Sequence, residues 1–228
     1  MATSGTSAFN LDITEIVEEA SDRAGVEMRS GYDLASARRS INLMMLDWQN
    51  RGINLWTVEE GTQALTSGTA SYNLPSGTID LVDSVLRSGT GTSQSDYPIR
   101  RISFSQYASQ TNKNTQGRPL QMMVSRTTSP SVTLWPVPDT SDYTFVYWRL
   151  RRVEDTGTNG ANTMDMPERF LPALISGLAY HLAVKAKSPE SNARAPALKG
   201  LYEEDYMMAA DEDRDRAAVF LRPHVSAL

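Results

Sequence analysis

The chain has 228 residues of which 40% are hydrophobic, enough to bury a core in one domain or two closely joined ones. A net charge of -5 argues against tight duplex binding, which rests on Lys and Arg neutralising phosphates and releasing counterions. Without Cys there is no disulfide framework and no thiolate metal site, a composition suited to a reducing cytoplasm though it does not exclude secretion. No apolar run approaches the ~20 residues of a membrane span, and the opening MATSGTSA has neither a basic n-region nor an apolar h-region. The expectation is a globular protein with no signal peptide, membrane anchor, cofactor or metal.

From Phe9 to Trp56 the sequence spells two capped helices. Asp12 is a good N-cap and Glu15 follows at capping-box spacing, both carboxylates sitting well against the positive end of the helix dipole. Ile13, Ile16, Val17, Ala20 and Ala24 then recur along one face, and Gly25 can take the left-handed conformation that ends a helix. Asp33 is expected to cap a second helix whose Leu34, Ala37, Ile41, Met44, Met45 and Trp48 form one stripe, with Gly52 as the stop. The two helices are expected to pack antiparallel. Leu43 and Leu46 fall outside the stripe, so either a third helix of the same chain or a neighbouring subunit must cover them.

The run GYDLASARRSINLMMLDWQNRGINLW resembles the start of the head-to-tail adaptors of short-tailed bacteriophages, called tail tubular protein A or packaged-DNA stabilisation protein. The resemblance is close over the first quarter of the chain and holds beyond it only in the order and character of the helices. It implies an architecture and a role, with no reactive site.

From Asn54 to Val153 the helical period gives way to short Val-, Thr- and aromatic-rich runs between turn residues. Strands are expected at Thr62 to Leu65 and Ala70 to Leu74, paired as a hairpin through Ser67-Gly68, then at Ile79 to Arg87. Ser88 to Asp96 reads as a mobile hairpin tip or a contact loop ordered by a partner. Leu120 to Arg126, Val132 to Trp135 and Tyr143 to Val153 complete a sandwich or small barrel. In the last strand Phe145 and Tyr147 alternate with Val146 and Trp148, so both faces are apolar and the strand should be central or at an interface.

A polar loop, Glu154 to Thr163, returns the chain to helix. Asp165 and Glu168 repeat the cap spacing, Pro167 suits a first turn, and Pro172 should kink the helix or mark where its regular part begins. Ala173, Ser176, Gly177, Ala179 and Ala183 permit close backbone approach, while Leu174, Ile175, Leu178 and Leu182 make the helix apolar nearly all round and therefore central. A last helix is expected from near Arg194 or Pro196 to about Arg216, carrying Leu198, Leu201, Tyr202, Tyr206 and Met208. The fold class is α+β: a discontinuous helical bundle, residues 1–53 and 164–228, with an inserted antiparallel β domain, residues 54–163.

No phosphate loop, GxSxG or nucleophile flanked by a base is present, and His181 and His224 are too few and too far apart in sequence for a metal site or triad. Glu203-Glu204-Asp205 and Asp211-Glu212-Asp213 read as a solvated helix face, since neighbours on a helix diverge by about a hundred degrees. Arg38-Arg39, Arg100-Arg101 and Arg151-Arg152 are read as ion-pairing groups within or between subunits in preference to phosphate contacts. Arg38, Arg39, Leu43 and Leu46 are the candidate subunit interface. In the tail, Phe220, Leu221, Val225 and Leu228 need a dock, either their own subunit or a partner groove; with Arg222 they form the candidate portal-docking arm.

The resemblance implies a structural adaptor and not an enzyme: a dodecameric ring joining the portal protein to the tail nozzle protein, assembled in the bacterial host cytoplasm and located in the virion. Its helical end would face the portal and its β end the nozzle, and DNA would pass through the lumen without specific binding, repelled by acidic walls. The alternative is a virion-associated peptidoglycan hydrolase using Glu59, Glu60 or Glu168 as acid and base.

Overall fold

The computed structural model describes residues 11–27, 31–52 and 55–213. The chain divides into two compact units, Met1–Leu55 with Glu154–Leu228, and Trp56–Val153. The expected α+β class is the class observed: helices at both ends of the chain with sheets inserted between them.

In the helical unit, α1 (Ile13–Ala24) starts as its cap residues require. The Asp12 carboxylate accepts from the Glu15 backbone N–H at 2.8 Å, and the Glu15 carboxylate accepts from the Asp12 N–H at 3.0 Å. Gly25 ends the helix at φ 66°, and its carbonyl accepts from the Ser191 hydroxyl at 3.0 Å. Helix α2 (Gly31–Asn50) begins earlier than expected, leaving Asp33 in its first turn, where a carboxylate complements the helix dipole without serving as the cap. Its Ala37, Ile41, Met44, Met45 and Trp48 are buried.

The returning segment makes a short 3₁₀ turn, Glu168–Phe170, and then α4 (Leu171–Lys185), so Pro172 marks where the regular helix begins. Asp165 is no cap here; its carboxylate accepts from the Glu154 N–H. Every residue from Ala173 to Ala179 is buried, as are Leu182 and Ala183. Helices α1, α2 and α5 (Pro189–Glu212) all pack on α4, whereas α1 and α2 barely touch each other. The expected α1–α2 pair is therefore replaced by a shared partner, because an apolar helix with no face for water recruits each amphipathic neighbour to itself.

Helix α5 begins at Pro189, with Pro196 inside it. The apolar residues expected to form one stripe on it separate: Leu198, Tyr202 and Tyr206 are buried, while Leu201 and Met208 are exposed. At about 100° per residue, positions 198, 202 and 206 share a face that 201 and 208 do not. The loop from Glu154 to Thr163, grouped with the β region by composition, belongs to the helical unit. The Asn162 and Gly160 carbonyls accept from the Ile13 and Thr14 N–H groups, donors that a helix start leaves without intrahelical partners, and the Asn42 side chain accepts from the Thr156 N–H.

The β unit has two four-stranded sheets. One runs β1 (Val58–Ala64), β8 (Tyr143–Arg151), β3 (Thr78–Ser88), β4 (Ser95–Pro98); the other runs β2 (Ser71–Asn73), β7 (Ser131–Trp135), β6 (Gln121–Ser125), β5 (Arg100–Arg101). Pairing is antiparallel except between β5 and β6. Leu81, Leu86, Phe145 and Tyr147 of the first sheet and Tyr72, Met122, Val124, Val132 and Leu134 of the second share one core. That is the sandwich arrangement. β8 is central, as its two apolar faces require.

The expected hairpin between the first two strands is not formed: β1 pairs with β8 and β2 with β7. The Ser67-Gly68 turn exists, with Gly68 at φ 79°, but its N–H groups bond to the Pro138 carbonyl and the Ser141 hydroxyl, and it passes the chain from one sheet to the other. Ser88 to Asp96 forms the tip and part of the second strand of the β3–β4 hairpin. A short helix α3 (Phe104–Ala108) was signalled only by Ser103 and Gln106, which form a capping box.

Gly177 sets the approach of α2 and α5 to α4. A Cβ there would lie 2.5 Å from Met44 Cε and 2.8 Å from two ring carbons of Tyr202. Gly177→Val is expected to destabilise the protein by about 1–3 kcal/mol through overpacking, read as a lowered urea midpoint. A variant as stable as the parent would show that the three helices can separate at no cost.

Candidate assembly surface

Helix α2 is held inward by Trp48. Its indole N–H donates to the Tyr202 hydroxyl at 2.8 Å, and its ring lies 5.7 Å from Phe170 and 5.5 Å from Tyr206, centroid to centroid. Arg51 reinforces the junction of α2 with α5, pairing with Asp47 at 2.9 Å and Glu203 at 3.1 Å and lying 4.6 Å over the Tyr206 ring. With this side fixed, the opposite side of α2 must face outward.

That side carries the off-stripe leucines. Leu43 is 65% exposed and Leu46 47%, so the third helix of the chain does not cover them. Arg39 and Asn50 are also exposed and complete a stripe at spacings of four, three and four residues. Arg38 points elsewhere: its guanidinium donates to the Thr158 carbonyl at 2.6 Å and so supports the loop that caps α1. Of the four residues assigned to a subunit interface from the sequence, Arg39, Leu43 and Leu46 therefore share one outward face. Phe220, Leu221, Arg222, Val225 and Leu228 lie outside the described residues.

Several arginines of the β unit act within the chain. Arg149 and Arg151 both grip the Glu59 carboxylate at 2.7 Å, and Arg101 reaches Asp80 at 2.7 Å. The hydrogen bond from Arg149, assisted by Arg151, holds the Glu59 carboxyl below the usual carboxylate range. A general acid needs the opposite shift. The acidic groups of α5 are not simply a solvated face either. Glu203 pairs with Arg51, Asp205 accepts from the Ser176 hydroxyl at 2.8 Å, and the buried Asp213 carboxylate accepts from Arg169 and from the Leu55 N–H. Among the described residues no group of three or more His, Cys, Asp or Glu could hold a metal ion, and no helix is long and apolar enough to cross a membrane.

The family model for the SU10 adaptor protein matches residues 11–225, nearly the whole chain. The chain belongs to the SU10 adaptor protein family. It is a phage head–tail adaptor, a structural protein and not an enzyme. The SU10-type subunit thus agrees with the resemblance carried by α2 on a head–tail adaptor, and the hydrolase alternative falls away. No curated protein matches. Among solved structures, one titled as the neck of an empty GTA particle computed with C6 symmetry aligns over 98% of this chain and 97% of that chain, at 10% identity and a TM-score of 0.29. Likeness at that level carries no argument.

Between α2, α4 and α5 lies a cavity of about 270 Å³ lined by Leu43, Asp47, Tyr180, His181, Lys199 and Glu203 among others. Burial holds the His181 imidazole below its ordinary value of 6.5, with the Lys185 charge adding to the shift and Asp47 opposing it. A lowered value means that the folded state binds fewer protons than the unfolded state between the two values. Stability therefore falls as pH drops below about 6.5 and levels off beneath the folded value. The denaturation midpoint is expected to fall between pH 7 and pH 5, and His181→Gln should flatten that fall; an unchanged slope in the variant would locate the titration elsewhere.

Proposed function

We propose that this adaptor is the subunit of a ring, a dodecamer by the resemblance of its first helices, that joins the portal of a short-tailed phage head to its tail nozzle and gives the DNA a channel. The single observation that carries the reading is the outward face of α2, where Leu43 and Leu46 stand in water on a helix whose other side is locked into the core. Burying each is worth about 1.5–3 kcal/mol. Two residues are too few to make the subunit insoluble and enough to hold a neighbour once a ring closes.

The helical unit, with its 154–163 loop, meets the portal and the β unit, Trp56–Val153, meets the nozzle. The tail arm docks in a portal groove through Phe220, Leu221, Val225 and Leu228, with Arg222 paired to an acidic rim. The net charge of -5, repeated around the ring, repels the phosphates and lets the duplex pass without binding. The same charge keeps free subunits apart until a template offsets the repulsion, so the ring closes on the portal and takes its place in the virion after assembly in the host cytoplasm.

Sedimentation of the isolated chain is expected to show a monomer at micromolar concentration; a closed ring there would refute templating while leaving the adaptor role intact. Leu43→Glu should leave the circular dichroism spectrum unchanged and lower incorporation into particles, and normal incorporation would remove α2 from the interface. Deleting Ala217 to Leu228 should leave the chain folded and abolish co-sedimentation with portal. A truncated chain that still binds portal at full strength would sink the arm, and one that fails to fold would return the tail to its own core.

A further inference from the structure

We propose that the outward stripe of α5, formed by Ala197, Leu201, Glu204 and Met208, receives the α2 stripe of Arg39, Leu43, Leu46 and Asn50 from a second copy of this chain. The inference rests on the ring reading and gives it its missing half. A ring needs a heterologous contact, in which one patch on a subunit meets a different patch on the next. The α2 face is one such patch, so a second must exist elsewhere on the same chain.

Three observations point to α5. All four residues of its stripe are exposed, and Leu201 and Met208 are large apolar groups at 41% and 63% exposure. Their spacing repeats that of α2: both stripes step by four, three and four residues. At about 100° per residue each stripe stays on one narrow side of its helix, and at about 1.5 Å rise both run roughly 16 Å. The charges are complementary as well. The α2 stripe begins at Arg39, whereas Glu204 stands within the α5 stripe and Asp211 and Glu212 lie exposed just beyond Met208.

Complementarity also sets the direction. With the helices antiparallel, Arg39 lies at the Met208 end among these carboxylates, Leu43 packs beside Glu204 and Met208, Leu46 meets Leu201, and Asn50 meets Ala197. A parallel arrangement would set Arg39 against Ala197, at the end of the stripe away from Asp211 and Glu212. Apolar knobs flanked by opposite charges are what fix partner and register between two helices.

The absence of Cys in this sequence makes a direct test available. Particles are assembled with Leu46→Cys/Leu201→Cys in place of the parent chain and treated with a short bismaleimide. The expected result is a ladder of cross-linked multimers, with no cross-linked product from either single variant. Asn50→Cys/Ala197→Cys repeats the test at the polar end of the same stripes, where no apolar contact is lost. In parallel, Arg39→Glu is expected to lower incorporation about tenfold and Glu204→Arg to restore it when combined. A cross-linked dimer from Leu46→Cys alone would reveal a self-complementary contact and overturn the pairing. Incorporated double variants that give no ladder would overturn it too, leaving the ring reading in place. Absence of the parent chain from particles would overturn the ring reading, and the inference with it.

Discussion

The helical unit depends on one constraint: the first half of α4 has no face to give to water. From Ala173 to Ala179 its side chains are all buried, so at least three neighbours must surround it. Gly177 lets two of them come close, since Met44 and the Tyr202 ring occupy the space where a Cβ would be. Trp48 then has only one place to go, against Phe170 and Tyr206 with its indole N–H on the Tyr202 hydroxyl. The orientation of α2 follows, and with it the outward position of Leu43 and Leu46. An exposed leucine pair is in this sense a consequence of what the opposite side of the helix is obliged to bury.

Strand β8 plays the corresponding part in the β unit. Its Phe145 and Tyr147 enter the shared core, and it pairs on both edges, with β1 and β3. Tyr147 leans over Gly61 of β1, where a Cβ would sit 2.5 Å from the ring, so an aromatic residue facing a glycine helps to fix the register. These central elements were legible because their periodicity is unambiguous: α4 is apolar on every side and β8 on both faces. What could not be read was partner choice. Ser67-Gly68 is a sound turn, yet nothing within ten residues says that the strands on its two sides join different sheets. β4 and β5 are too short for a pattern, and α3 had only its cap to announce it.

The assembly surface was half legible. Leu43 and Leu46 stood out because the α2 stripe is clean enough to make outliers visible. Leu201 and Met208 did not, because the apolar residues of α5 read as one set, although at about 100° per residue they fall on two faces. The charges misled in a related way. A run such as Glu203-Glu204-Asp205 looks uniform in sequence, but a helix fans its members apart: Glu203 goes to Arg51, Asp205 to Ser176, and only Glu204 is turned outward on the stripe.

That separation bears on how an acidic protein can associate with itself. Arg51, Arg149, Arg151 and Arg169 are engaged by carboxylates of their own chain, so much of the formal charge is neutralised locally and contributes little field at the surface. What remains for a neighbour to meet is set by the groups that stand exposed on the outer helix faces. In the proposed ring each contact would be small, two leucines against a leucine and a methionine with a charge at one end, and an isolated pair of subunits would gain too little from it to offset the freedom lost on association. Closure changes the balance. Each subunit in a ring makes the contact twice, and the last to enter has already lost its freedom to its neighbours and to whatever surface holds them. An interface weak enough to keep the free chain soluble is then strong enough to hold a closed assembly.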